Sequence, residues 1–188
     1  MLNVLNLRPS YLGIVGSTLA FISLLLPWWA LDVSTMGQPP WGLSLYLFQA
    51  TATSLGGAPA AVEVNLWFGW TALAFVVIGG LLSLTDSVIA TRRKTLFALG
   101  EILILLSLIV FVAGLQNQIS SGPLTNGRGF PTKVGVFSTG KGGISGDGMS
   151  LLFDYSTYLS YGFWLALVAA IIMVAASLRK PPKTIPPS

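Results

Sequence analysis

The stretch YLGIVGSTLAFISLLLPWWAL, residues 11–31, contains no charged side chain and decides the class of the fold. A helix needs about 20 mostly apolar residues, at about 1.5 Å each, to cross the roughly 30 Å hydrocarbon core of a bilayer. This run meets that length, with Pro9 and Ser10 as helix-start residues and Pro27 ending or kinking it. Its apolar stretch exceeds the usual signal peptide, and PWWALDVS offers no small-x-small cleavage pattern, so the segment is expected to be retained. Three similar runs follow, at about 66–90, 95–115 and 155–178. They predict an all-α membrane protein: an antiparallel four-transmembrane-helix bundle in a single membrane domain, its first helix at about 10–31.

Composition agrees. The chain has 188 residues, 53% hydrophobic and 9% charged, where a soluble domain carries about 25% charged residues. With no cysteine and no histidine, it has no disulfide, no thiolate or imidazole metal site and no nucleophile–histidine pair. No catalytic residue, metal or cofactor is expected, and the protein is read as no enzyme.

The formal charge is +4, from ten bases and six acids. Position assigns that excess to orientation rather than to nucleic acid. Arg8, Arg92, Arg93, Lys94, Arg179, Lys180 and Lys183 flank the ends of apolar runs, while residues 32–65 hold no base. Cytoplasmic flanks retain positive charge, so both termini and the 90–94 turn are expected inside, with Arg92, Arg93, Lys94, Arg179 and Lys180 as cytoplasmic anchors at the plasma membrane. The tail, residues 179–188, is rich in proline and expected to be extended. Outer segments 32–65 and 116–154 then face outward, and Trp28, Trp29, Trp67, Trp70, Tyr155, Tyr158, Tyr161 and Trp164 form an aromatic belt at the outer helix ends. Small residues mark helix contacts: Gly13 with Ser17, Gly16 with Ala20, and Ala166 with Ala170.

The first outer segment carries WGLSLYLFQATATS (41–54), aromatic and β-branched, which reads as one or two short strands. The second carries FPTKVGVFSTG (130–140) with strand-like Val134 and Phe137, then the glycine-rich GGISGDG. A small sheet shared by both segments, as a β-containing cap, would satisfy their backbone groups.

Four helices, cytoplasmic ends, a long first outer loop opening on tryptophan and a short inner turn resemble the claudin and peripheral-myelin-protein superfamily of tetraspan proteins. Trp29 matches the family's first outer tryptophan, and Gly42 with Leu43 match its Gly-Leu; Ser44 stands where a second tryptophan belongs, and the cysteine pair is absent. The resemblance implies an extracellular sheet on a helical bundle and a role in adhesion, barrier formation or association with another membrane protein.

Asp86 and Glu101 are the acids inside the apolar runs. Such residues are costly in lipid and are functional candidates by default. In an antiparallel hairpin both lie about 8 to 11 Å inside the cytoplasmic boundary, where they either reach the nearby bases or serve an ion or a proton. GVFSTGKG (135–142) matches the phosphate-loop spacing, but Gly142 replaces the Ser or Thr that would hold magnesium. Asp147 and Asp154 lack the alternating acids of a calcium loop. The expected function is therefore that of a non-catalytic structural, adhesive or accessory subunit. It is expected to meet another integral membrane protein or further copies of itself, with Trp29, Trp41 and Phe137 as partner contacts on the outer cap. The alternative is a small oligomeric channel or transporter component using Asp86 and Glu101.

Overall fold

The computed structural model describes residues 11–35, 38–53, 58–88, 94–120, 134–146 and 149–178. Among these residues are four helices: α1 (Tyr11–Ser23), α2 (Trp67–Val88), α3 (Lys94–Ser120) and α4 (Tyr161–Leu178). Six strands join them: β1 (Trp29–Thr35), β2 (Gln38–Leu45), β3 (Ala50–Thr53), β4 (Ala60–Val62), β5 (Ser138–Gly146) and β6 (Met149–Leu159). They form one antiparallel sheet in the order β4-β3-β2-β1-β6-β5. The all-α expectation is thus wrong. The sheet is a second layer of the protein and not a small cap, and among the described residues three helices, not four, are long and apolar enough to cross a membrane: α2, α3 and α4.

The first apolar run is divided. α1 spans 13 residues, about 20 Å, and then tightens through bonds from Leu24 N to Phe21 O, Leu25 N to Ile22 O and Leu26 N to Ser23 O. Pro27 cannot donate to a helix and disfavours helical backbone at Leu26, so the remaining Trp-Trp-Ala-Leu enters β1. The fourth run is divided in the same way. Residues 155–159 belong to β6, where Phe153, Tyr155, Thr157 and Leu159 are buried and alternate with less buried Asp154, Ser156 and Tyr158, the period of two that a half-buried strand requires.

β2 carries Pro39 and Pro40 where its register with β1 shifts between Val33 and Thr35, an irregularity of the kind at which a strand tolerates proline. β1 pairs with β6 from Trp29↔Leu159 to Thr35↔Phe153, and this pairing ties the two outer segments together.

One face of the sheet is buried: Trp29, Leu31 and Val33 of β1, Leu43 and Leu45 of β2, and Phe153, Tyr155 and Leu159 of β6. The last turns of α3 pack in the same core, through Leu115 and Ile119. That is why α3 continues to Ser120, past the expected end near 115. Its polar residues are used there: Gln118 Nε2 donates to Asn65 O at 3.1 Å, and Gln116 Oε1 accepts from Val136 N at 3.3 Å, satisfying loop backbone that would otherwise be stranded.

The helices meet the sheet at Trp28, which is 0% exposed. Its ring is edge-on to Phe111 of α3 and Phe163 of α4, with centroids at 5.1 and 5.9 Å. Its indole donates to Ser23 O, its N–H to Leu45 O, and its carbonyl accepts from Ser160 N. Gly162 allows this junction, since a Cβ there would run into Trp28 and the Leu26 carbonyl. Trp28 and Trp29 are accordingly core residues, not belt anchors; Trp67, Trp70, Tyr161 and Trp164 remain exposed at the sheet ends of α2 and α4. The expected small-residue contacts are present, with Gly16 against Met173 and Ala169 of α4, and Gly13 against Ser87 and Phe97.

Candidate interaction surface

Opposite the buried face, β1, β6 and β5 present a second surface built by strand alternation. Leu152, Asp154, Ser156 and Tyr158 share this face on β6; Ser34 lies opposite Asp154, and Asp32 opposite Ser156. On β5, Lys141 lies opposite Asp154, Thr139 opposite Ser156 and Gly143 opposite Leu152. Leu152 is 72% exposed, Phe137 just before β5 is 62% exposed, and Tyr158 is 39% exposed. Large apolar side chains therefore stand beside two carboxylates and an ammonium.

Tyr158 Oη donates to Asp32 Oδ2 at 2.8 Å. This bond, partial burial and the Asp32 charge, in that order, hold the Tyr158 phenol above its ordinary pKa, because each disfavours the phenolate. Beside the pair, Asp32, Ser34, Pro40, Asp154 and Ser156 line much of a shallow cleft of about 160 Å³. Among the described residues no three Asp or Glu side chains gather where a metal ion would need them. Asp147 lies outside those residues. The phosphate-loop match runs into β5, whose extended backbone cannot curl its amides around a phosphate.

The expected partner contacts separate. Trp29 is 2% exposed and donates its indole N–H to Val136 O at 3.0 Å, so it packs the inner face. Trp41 is partly buried against the core. Phe137 stands out from the surface. The Asp32–Tyr158 pair, Lys141 and Leu152 were not singled out from the sequence; the alternation in Phe153–Leu159 was the signal that marks their face.

At the far end of the helices, Glu101 is 7% exposed and lies beside Ser177 of α4. Its Oε1 and the Oγ of fully buried Ser83 have no hydrogen-bond partner. Ser83 packs against Gly100, one residue before Glu101. Asp86 is half-buried one turn along α2 from Ser83. Of the expected cytoplasmic anchors, Lys94 opens α3, while Arg92, Arg93, Arg179 and Lys180 lie outside the described residues.

Comparison with protein-family models and with curated proteins finds no match for this chain.

Proposed function

We propose that this chain is a non-catalytic integral membrane protein of the plasma membrane, with cytoplasmic termini, acting as a structural, adhesive or accessory subunit. It holds another membrane protein, or a further copy of itself, through the outer sheet. The observation that carries this reading is the exposed β1–β6–β5 surface, where Phe137, Leu152 and Tyr158 surround Asp32, Asp154 and Lys141. Aromatic and aliphatic anchors with charges between them are what a protein interface uses for affinity and register. Supporting it, Ile102, Ile109 and Ile171 expose apolar surface along the helices, and in the sequence the basic residues adjoin the helix ends that do not lead into strands. The resemblance to the claudin and peripheral-myelin-protein superfamily points the same way.

The test is affinity purification of the full chain in mild detergent from its own membranes. The wild-type chain brings down a stoichiometric partner, and Phe137→Ala with Leu152→Ser releases it while the protein stays folded. Retention of the partner by that double variant would overturn the role of this surface.

A second reading is favoured by one observation, the unpaired Oε1 of buried Glu101: a channel or transporter component in which Asp86 and Glu101 serve an ion or a proton. Under it, Asp86→Asn with Glu101→Gln abolishes flux into reconstituted vesicles; under the first reading, no flux depends on either acid.

A further inference from the structure

Phe97, Ile104, Leu108, Phe111 and Leu115 are buried along α3, at the spacing of a helix face that lies against a core. Glu101 stands in this stripe, one turn after Phe97 and one before Ile104, and is itself 7% exposed. A carboxyl therefore belongs to the inside of the bundle and not to the lipid face. Its Oε1 has no hydrogen-bond partner, and neither has the Oγ of fully buried Ser83, which packs against Gly100. Oxygens buried this deeply are normally paired. Both are left open beside the α2–α3 contact.

The neighbouring hydroxyls do not complete them. Ser87 donates its hydrogen to Ser83 O at 2.7 Å, and Ser177, beside Glu101 on α4, donates its own to Val174 O at 2.8 Å. Each helix uses its own serine hydrogens, and what these serines have left to offer is lone pairs. The site thus holds acceptors and lacks a positive centre, without which an ionised carboxyl in an apolar bundle is costly. Asp86, half-buried one turn along α2 from Ser83, has an interaction of its own, and Lys94 opens α3 two turns before Glu101. Among the described residues no group of three or more acids occurs, so the charge to be balanced at Glu101 is single.

We propose that Glu101 and Ser83 form a buried site for one monovalent cation, a proton or a sodium ion. The chemistry common to both is one positive charge against one carboxylate. A proton makes Glu101 a neutral acid that can donate a hydrogen bond where acceptors collect; sodium takes the carboxylate and the Ser83 hydroxyl as oxygen ligands. A divalent ion would leave a net positive charge buried, which is unfavourable. Gly79 and Gly100 bring the two helices together here, since a Cβ on either would run into the carbonyl of the other. A cation bound at this contact ties α2 to α3 and stabilises the folded chain. The inference deepens the channel or transporter reading by naming the class of ion, and rests on that reading only for flux: the same cation stabilises an accessory subunit equally well.

The test uses the full chain in phosphatidylcholine vesicles at neutral pH, with sodium or choline as the salt cation. With sodium as the occupant, sodium at about tenfold above its dissociation constant raises the melting temperature by about 3 to 6 °C over choline. With a proton as the occupant, melting is the same in both salts, and infrared spectra show the carbonyl band of a protonated carboxylic acid. Either signal should disappear in Glu101→Gln and persist in Glu63→Gln, an exposed acid between β4 and α2. Glu101→Asp keeps the carboxyl but shortens its reach; it should weaken the sodium effect or move the band, and it decides the matter where Glu101→Gln fails to fold. Absence of both signals in the wild-type chain, or a signal unchanged by substitution of Glu101, would overturn the site. Flux into the same vesicles separates the two claims. A cation signal at Glu101 without flux ends the transport reading and leaves the site, whereas flux without either signal ends the site and leaves that reading.

Discussion

Replacing Trp28 by alanine should cost about 4 kcal/mol of stability, because the side chain joins the helices to the sheet. Its ring is fully buried, and a tryptophan buries about 200 Å², which at about 25 cal/mol per Å² is worth about 5 kcal/mol. Partial collapse of the site offsets part of this, and truncations of buried tryptophan and phenylalanine cost about 3 to 5 kcal/mol. The edge-on contacts to Phe111 and Phe163 and the bond to Ser23 O are lost as well. Trp28→Phe keeps a ring between those partners but removes the indole donor, and should cost about 1 to 2 kcal/mol, near the value of one hydrogen bond with some lost area. Trp67, half exposed at the start of α2, is the comparison: Trp67→Ala should cost less than about 1 kcal/mol. The assay is reversible unfolding in mixed micelles at increasing denaturing detergent, followed by circular dichroism. If Trp28→Ala falls within about 1 kcal/mol of Trp67→Ala, Trp28 is a surface anchor after all, and the junction described here is wrong.

Gly114→Ala should destabilise by about 1 to 3 kcal/mol, since a Cβ there would overlap Phe68 and force α2 from α3; Gly135→Ala, whose nearest neighbour would be at 3.5 Å, should change little, and equal costs in the same unfolding assay would refute the close approach. Tyr158 should titrate above the ordinary tyrosine value in ultraviolet difference spectra, and Asp32→Asn should bring it back toward the ordinary range; an unchanged profile would refute the pair. The sign follows from the raised phenol: its stabilising contribution is complete below the unfolded tyrosine value, about 10, and is lost as pH rises through the higher folded value. Tyr158→Phe should therefore remove a loss of stability confined to strongly alkaline pH, read by thermal melts from pH 8 upward.

The sequence reveals the helices through charge and length, and the sheet far less clearly. α2 begins within a residue of its apolar run and stays helical through the last described residue, Val88, because neither proline nor a strand-forming stretch interrupts that run. Residues 11–31 look equally continuous, yet Pro27 splits them, and composition does not show that two tryptophans beyond a proline will enter a strand. The tail of α3, Gly-Leu-Gln-Asn-Gln-Ile-Ser, looks like a loop because its amides seem to want water; Gln116 and Gln118 instead satisfy loop backbone beside the sheet. β5 escapes because glycine is depleted in strands, and only the partner β6 makes STGKGGISG extended. Phe137 is exposed, as an aromatic side chain in a polar segment had suggested. Asp32 and Tyr158 lie 126 residues apart and meet only through the β1–β6 register.

The most direct test of the interaction account is native mass spectrometry of the protein taken from its own membranes in mild detergent, without overexpression. The account predicts a stoichiometric assembly, with another protein or with a second copy, that Phe137→Ala with Leu152→Ser dissolves and Asp86→Asn with Glu101→Gln leaves intact. A monomer, or an assembly indifferent to the outer surface and lost with the two acids, would contradict it.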